Sequence, residues 1–438
     1  MSKKISRRTV LKGAAASGLG ILFLRDSRLA FGYEANEKLN MAFIGVGGQG
    51  RSNLRDLSKE CAVVAVCDTN DNITAEAAEN HPGAQSYADF RVMLDKVGKR
   101  IDAVAVSTPD HTHAVAALMA IKMGKHVYCE KPLTRTLHEV RALRDAARKY
   151  KVATQMGNQG TASDGLRESV EIVRSGAIGQ VFEVHVWSNR PGWPQGIDRP
   201  AETPPVPPEL HWDLWLGPAP TRPYNPAYQP GRWRGFFDFG TGALGDMGCH
   251  TVNMPYMALD LKNPICVEAD KVVEKTSETY PKQSIIHYSF PRRGNLRPLI
   301  MKWYDGGLRP SADLLDGGEM PESGIILIGD KGRLFSADDY CETRELLPKE
   351  KFANYTPPAK SLPRSPGHHA EFVRACKGGE PAMSNFDYAA GLTETILLGA
   401  LAIEVGEPIY WDSESMKAIN CPKADRYINP PYRTGWSL

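Results

Sequence analysis

The run Gly45-Val46-Gly47-Gly48-Gln49-Gly50 lies between a short apolar segment, 38–44, and a segment of helical character, 51–58. Glycines at that spacing between a strand and a helix form a phosphate cradle. Gly45 permits the tight turn, Gly47 lets the backbone approach a pyrophosphate, and Gly50 lets the helix pack against the strand. The free N–H groups of the helix N-terminus then face the phosphates. The next apolar run, 62–67, ends in Asp68. A carboxylate there accepts the ribose hydroxyls of an adenosine and repels a 2′-phosphate, which favours NAD over NADP. A glycine turn followed by an N-capping Asp is the alternative. A third run, 101–107, is continuously apolar, as a parallel strand buried on both faces is. It ends in Thr108 and Pro109, at the carboxyl edge of the sheet where ligands bind in open α/β folds. His111 and His113 follow without a Cys or carboxylate at ligand spacing, so no metal is expected. They read as helix-start histidines, with one of them, His113, a candidate for the nicotinamide end of the cofactor site.

The following strand, 126–129, runs into Glu130-Lys131-Pro132. With GVGGQG, STPDHTHAVAALMAIKMGKHVYCEKPL, GALGDMGCHTVNM and SNFDYAAGLTETILLGALA, the chain resembles the Gfo/Idh/MocA oxidoreductases, the glucose–fructose oxidoreductase and inositol dehydrogenase family, over nearly its whole length. The resemblance implies an α/β protein. A Rossmann dinucleotide-binding domain would be followed by an α+β domain with an open, mostly antiparallel sheet that forms the substrate cleft and often the oligomer interface. It further implies Lys131 as the active-site lysine, Asp246 and His250 facing it across the cleft, and Glu130 supporting the cofactor side. The expected activity is NAD-dependent oxidation of a secondary hydroxyl on a sugar, sugar derivative or cyclitol, with the cofactor tightly held. A redox-neutral glycosidase that oxidises, eliminates, hydrates and reduces is the alternative, and a non-catalytic sugar-binding sensor is a third reading.

These residue types suit that chemistry. Removing a hydroxyl proton as hydride leaves carbon calls for a base near the working pH, and histidine qualifies. A cation beside the oxygen stabilises a developing alkoxide, a role open to Lys131. Asp246 and His250, four residues apart, share one face if the segment is helical. The bland readings are a helix-start carboxylate, a satisfied core histidine and a surface lysine. The Lys131–Pro132 bond is a candidate cis peptide. In 154–160, Asn158 and Gln159 are candidates for the nicotinamide ribose or carboxamide, with an Asn/Gly turn as the alternative. Between 189 and 240, aromatics alternate with arginines: Trp193, Trp212, Trp215, Tyr224, Tyr228, Trp233, Phe236 and Phe237 with Arg190, Arg222, Arg232 and Arg234. Most should pack the segment onto its domain. Arg190, Trp193 and Trp233 are the candidates for the substrate side, because aromatic faces suit the C–H faces of sugar rings.

The elements that must position these groups follow from the pattern. Residues 35–158 read as the Rossmann domain and 159–438 as the substrate and oligomerisation domain, with alternating strands at 180–188, 265–273, 283–290, 297–304 and 325–328 in a sheet of five or six. Helices are expected at 113–123, 164–175, 368–376 and 388–405, the last packing back on the first domain. The tail, 426–438, reads as an aromatic arm that docks on a neighbouring subunit or on its own chain. Residues 1–34 carry Arg7-Arg8 before a short apolar run, which resembles a twin-arginine export signal, so a periplasmic or cell-envelope location is expected. The apolar run is too short to span a membrane. The segment 29–31 makes a poor cleavage site, and an uncleaved anchor is the alternative. Lys plus Arg is 53 against 51 for Asp plus Glu, a net +2, which argues against nucleic acid as the partner of the basic aromatic stretch. A small carbohydrate-like molecule and further copies of the chain are the expected partners. The eight cysteines show no pairing pattern.

Overall fold

The computed structural model describes residues 38–438, which form one compact body. The twin-arginine reading of 1–34 lies outside the described residues. Six parallel strands make the first sheet: β1 (Leu39–Ile44), β2 (Cys61–Cys67), β3 (Gln85–Tyr87), β4 (Ala103–Val106), β5 (His126–Glu130) and β6 (Thr154–Gly157). Their order is β3-β2-β1-β4-β5-β6, so the connections reverse direction between β1 and β4. A crevice opens at the carboxyl ends there. The helices in the crossovers are α1 (Gly48–Leu57), α2 (Asp71–Asn80), α3 (Phe90–Val97), α4 (Asp110–Lys122) and α5 (Leu137–Tyr150). They cover both faces, which is why β4 and β5 are buried throughout.

Two glycines fix the crevice. Gly45 sits at φ +78°, and a Cβ there would lie 2.7 Å from the Ser107 backbone. A Cβ on Gly50 would lie 1.9 Å from the Gly45 carbonyl oxygen. Only a chain without side chains at both points can turn so tightly and bring α1 so near β1.

After α6 (Asp164–Arg174) comes the second sheet: β7 (Val181–Trp187), β8 (Cys266–Val273), β9 (Gln283–Phe290), β10 (Leu299–Tyr304), β11 (Gly324–Gly329), β12 (Gly332–Ser336), β13 (Glu345–Leu347), β14 (Ile409–Asp412) and β15 (Lys417–Ala418). It has nine strands, not the five or six expected from the pattern, in the order β13-β12-β11-β7-β10-β9-β8-β14-β15. The surplus comes from pieces as short as two or three residues, whose alternation is too brief to register in sequence. Only β7 and β10 pair parallel; the other ladders are antiparallel.

The segment 189–240 holds one short helix, α7 (Trp212–Leu216), and several 3₁₀ turns. It is followed by α8 (Gly242–Thr251), α9 (Asn253–Ala258), α10 (His368–Cys376) and α11 (Phe386–Val405). Helix α11 is apolar on nearly every side and almost wholly buried. Arg141 of α5 donates twice to Glu394 of α11, both at 2.6 Å, and Trp411 of β14 donates to the same carboxylate at 3.0 Å. The helix is thus the shared core element between the two sheets.

Gly50→Ala should lower stability by about 3 kcal/mol or fail to fold, since overpacking against backbone has no flexible side chain to yield. Thermal unfolding checks this; a melting temperature matching the wild type would show that α1 is not locked by the close approach.

Candidate active site

Strand β5 delivers Glu130 and Lys131 to the carboxyl edge of the parallel sheet, and the Lys131–Pro132 bond is cis. Helix α8 delivers Asp246 and His250, both buried. A Cβ on Gly248, on the opposite face, would lie 3.2 Å from Ile396 of α11, so the small residues of α8 let it press against the core helix. The elements meet at one carboxylate. Lys131 Nζ donates to Asp246 Oδ1 at 2.7 Å and to the Asp246 carbonyl oxygen at 3.0 Å. Arg234 Nε donates to the same Oδ1 at 3.0 Å. The Arg234 guanidinium also lies over the rings of Trp233 (4.4 Å) and Trp193 (5.6 Å).

The electrostatics separate these groups. Burial pushes the Asp246 carboxyl up, but Lys131 and Arg234 together outweigh it and hold it at about 2. Burial pulls Lys131 down, but the charge of Asp246 and its hydrogen bond leave the ammonium above its ordinary value. Burial, then the Lys131 charge, holds His250 at about 3. Lysine and aspartate are therefore ionised at neutral pH while the imidazole is neutral. His250 Nδ1 is buried without a hydrogen-bond partner among the described residues, and its ring packs 4.8 Å from that of Tyr340. The 338–343 turn that presents Tyr340 is clasped by Asp338, which accepts from the N–H groups of Tyr340, Glu342 and Thr343.

A cavity of about 460 Å³ runs from this cluster along the glycine loop. Gly45, Gly47, Asp68, Thr108, Pro109, Glu130, Lys131, Trp233 and Arg234 line it. The lining fits a dinucleotide. Asp68 accepts from the N–H groups of Val46 (3.0 Å) and Asn70 (3.1 Å), which leaves further lone pairs for ribose hydroxyls. Thr108 Oγ1 is buried and has no hydrogen-bond partner among the described residues.

Other sequence candidates are engaged by neighbouring groups of the protein. Glu130 accepts from Asn53 (2.8 Å) and Gln159 (3.2 Å) through Oε1, and burial raises its carboxyl. Asn158 is wholly buried, joined to Ser384 and to the Cys249 carbonyl. Both His113 ring nitrogens lie 2.8 Å from backbone carbonyls, of Pro132 and Thr108, so the ring braces the Thr108 turn against the lysine turn and does not face the cavity. His111 is held between the carbonyls of Trp215 and Phe239. At the start of α10, His368 bonds the Met156 carbonyl and His369 bonds Asn53, the residue that donates to Glu130. Trp193 donates to Gln195 at 3.1 Å, and Arg190 bonds its neighbour Asn189. Most aromatics of 189–240 form a core of their own around Trp212, Tyr228 and Phe239.

Sequence reasoning passed over Arg234, Asp110 and Tyr340. Asp110 was legible in principle, because it follows Thr108-Pro109 at the same sheet edge. The pairing of Arg234 with Asp246 and of Tyr340 with His250 has no local signature.

The fold and site together define a dinucleotide-binding Rossmann protein with a lysine–carboxylate centre at the sheet edge. The chain belongs to the Gfo/Idh/MocA oxidoreductase family: residues 39–158 match its NAD-binding Rossmann fold and 167–438 its C-terminal alpha/beta domain. It is 26% identical over 194 residues to a levoglucosan dehydrogenase of Pseudarthrobacter phenanthrenivorans, covering 43% of this chain and 40% of that protein. It is 30% identical over 209 residues to a glycosyl hydrolase family 109 protein of Saccharopolyspora erythraea, covering 41% and 45%. The chain spans less than half the length of these curated relatives. Among solved structures, the WlbA dehydrogenase of Bordetella pertussis in complex with NADH and UDP-GlcNAcA superposes with a TM-score of 0.60 at 16% identity, over 86% of this chain and 99% of that one. At that identity the likeness concerns the fold.

Asp110 yields a stability prediction. Its carboxyl accepts from Thr241 at 2.7 Å, and burial raises it to about 7. A carboxyl whose folded value exceeds its unfolded value of about 3.9 loses stability as pH rises from about 4 to 7. Asp110→Asn removes that loss. Relative to wild type, its unfolding free energy should improve by about 2–4 kcal/mol between pH 4 and pH 8 in urea titrations. A wild-type-to-variant difference that does not change with pH would sink the assignment.

Proposed function

We propose that the protein oxidises a secondary hydroxyl of a sugar, sugar derivative or cyclitol, using tightly held NAD. The observation that carries this is the Lys131–Asp246 contact of 2.7 Å at the end of the dinucleotide cavity. NAD bound in the cavity supplies the hydride acceptor. Lys131, kept protonated by Asp246, lies where a developing alkoxide gains most from a cation. His250, kept neutral by burial, accepts the hydroxyl proton. Asp246 orients the ammonium and, with Arg234, fixes it at the cavity wall. Arg190, Trp193, Trp233 and Tyr340 are our candidates for the substrate side, since Trp193 and Trp233 pack on Arg234 and Tyr340 packs on His250.

The levoglucosan dehydrogenase relative supports a carbohydrate substrate. The family 109 relative supports a second reading, redox-neutral glycoside cleavage. In that reading, oxidation makes the neighbouring C–H acidic by placing it α to a carbonyl. Elimination, water addition and reduction then follow, and NAD returns to its starting state. We further propose domains at 35–158 and 159–438, export through the Arg7-Arg8 segment, and a homo-oligomer. The exposed Ile300 and Tyr410 of the second sheet support the last.

Incubating the NAD-loaded enzyme with sugars, cyclitols and aryl glycosides, without added cofactor, separates the readings. The dehydrogenase gives one burst of NADH that stops until a carbonyl acceptor is added. Continuous aglycone release, with solvent deuterium beside the oxidised carbon, would establish the glycosidase reading in its place.

Lys131→Met and His250→Ala should each lower turnover roughly a hundredfold or more while leaving NAD bound. With His250 held at about 3, kcat/KM should show no acid limb near the ordinary imidazole value of about 6.5. A wild-type limb at that pH that disappears on replacing His250 would contradict the neutral-imidazole assignment.

A further inference from the structure

The adenosine end of the cavity is closed by segments distant in sequence. Residues 209–211 of the aromatic stretch lie along the turn after Asp68. Asp71 N–H donates to the Glu209 carbonyl at 2.9 Å, and His211 N–H donates to the Thr69 carbonyl at 2.8 Å. The His211 ring meets Asp71 Oδ1 at 2.9 Å. Leu210, Leu214 and Trp215 of this strap line the cavity beside Ile73 and Phe90.

The C-terminal arm lies across the back of the strap. Arg433 donates to the Asp213 carboxylate at 2.6 Å, to the Asp213 carbonyl at 2.5 Å and to the Gly217 carbonyl at 2.5 Å. Its own N–H donates to the Pro218 carbonyl at 3.2 Å. Trp436 packs on Phe90 at 5.9 Å, and Arg91 lies 4.2 Å over its indole. Tyr432 donates to Glu139 of α5. One short arm therefore grips the strap, a cavity-lining phenylalanine and a Rossmann helix together.

We infer that Arg433 and Trp436 are positioning residues of the cofactor site, latching strap 209–217 over the adenosine half of NAD so that the cofactor leaves only when the arm lifts. The strap runs beside the Asp68 turn and lines the cavity, and Arg433 of the arm binds its far end at Asp213 and Gly217. Neither latch residue touches the cavity, so both act through Leu210, Leu214 and Phe90. Their loss should speed exit far more than it alters the glycine-loop contacts that capture the phosphates.

The test is the dissociation rate of NADH. The full chain is loaded with NADH, freed of excess by gel filtration and chased with NAD, while fluorescence of bound NADH is followed. Arg433→Ala, which gives up three side-chain hydrogen bonds to the strap, should release NADH roughly tenfold faster, and Trp436→Ala, which removes the packing on Phe90, severalfold faster. The association rate and the melting temperature of the nucleotide-free protein should stay near wild type, which a general loss of folding would not allow. Arg433→Lys, which keeps the charge but loses the planar fork, should fall between. Wild-type release rates in both Arg433→Ala and Trp436→Ala would overturn the latch while leaving the NAD site intact. A wild type that binds no NADH would overturn both.

Discussion

A carboxylate held between two cations organises this molecule. Asp246 comes from α8, Lys131 from the end of β5 and Arg234 from the aromatic stretch, so the cluster joins the edge of the parallel sheet to a part of the chain more than a hundred residues further on. None of the three could be buried alone, since an unpaired charge in a protein interior costs several kcal/mol. Removing one partner of such a cluster typically costs about 3–5 kcal/mol, because the remaining charges stay desolvated. The arrangement therefore requires both sheets to be in register with each other, and α11, packed against α5 on one side and α8 on the other, supplies that register.

The cluster also assigns protonation states. Lys131 and Arg234 keep Asp246 ionised, and Asp246 in turn keeps Lys131 charged against burial and the Arg234 charge. Burial, then the Lys131 charge, keeps His250 neutral. Asp110 lies further from the cations and is held chiefly by a neutral donor, Thr241, so burial dominates and its carboxyl titrates near 7. Two buried aspartates near one lysine are thus pushed in opposite directions, because Asp246 bonds Lys131 and Arg234 directly while Asp110 bonds a neutral hydroxyl. Proposed acid, base and electrostatic roles can coexist in one cavity because the surroundings push these groups apart.

The aromatic stretch 189–240 serves two purposes with one composition. Trp212, Tyr228 and Phe239 bury each other and give a loop with little regular structure a core of its own. That core makes the segment stiff enough to place Arg234 against Asp246 and to lay Leu210 along the Asp68 turn. Arg222 stacks within it over Phe239 at 4.8 Å, its charge met by Asp238. The buried histidines nearby follow a similar rule: His111, His113 and His368 bond backbone carbonyls and brace turns.

The Rossmann half was readable because its determinants are contiguous. Gly45 and Gly50 are separated by a few residues and meet each other directly, and the apolar runs that become β1, β2 and β4 are each sufficient to define a buried strand. The chain's own pattern likewise put Lys131 at a strand end and marked 368–376 and 388–405 as helices. Asp246 and His250, in contrast, share a face only if their segment is helical, and it was the family resemblance that grouped the three. It did not count the strands of the second sheet, since β13 and β15 owe their strand geometry to the neighbours they pair with. It left the docking of the tail open, and the structure lays the tail on its own chain through Arg433 and Trp436. It also could not assign Arg234 to Asp246 or Tyr340 to His250. A glycine turn or an apolar strand is specified by forces acting within a few residues. A buried charge or ring finds its partner only when packing of the whole chain decides which groups lose water together, and that decision belongs to the tertiary structure.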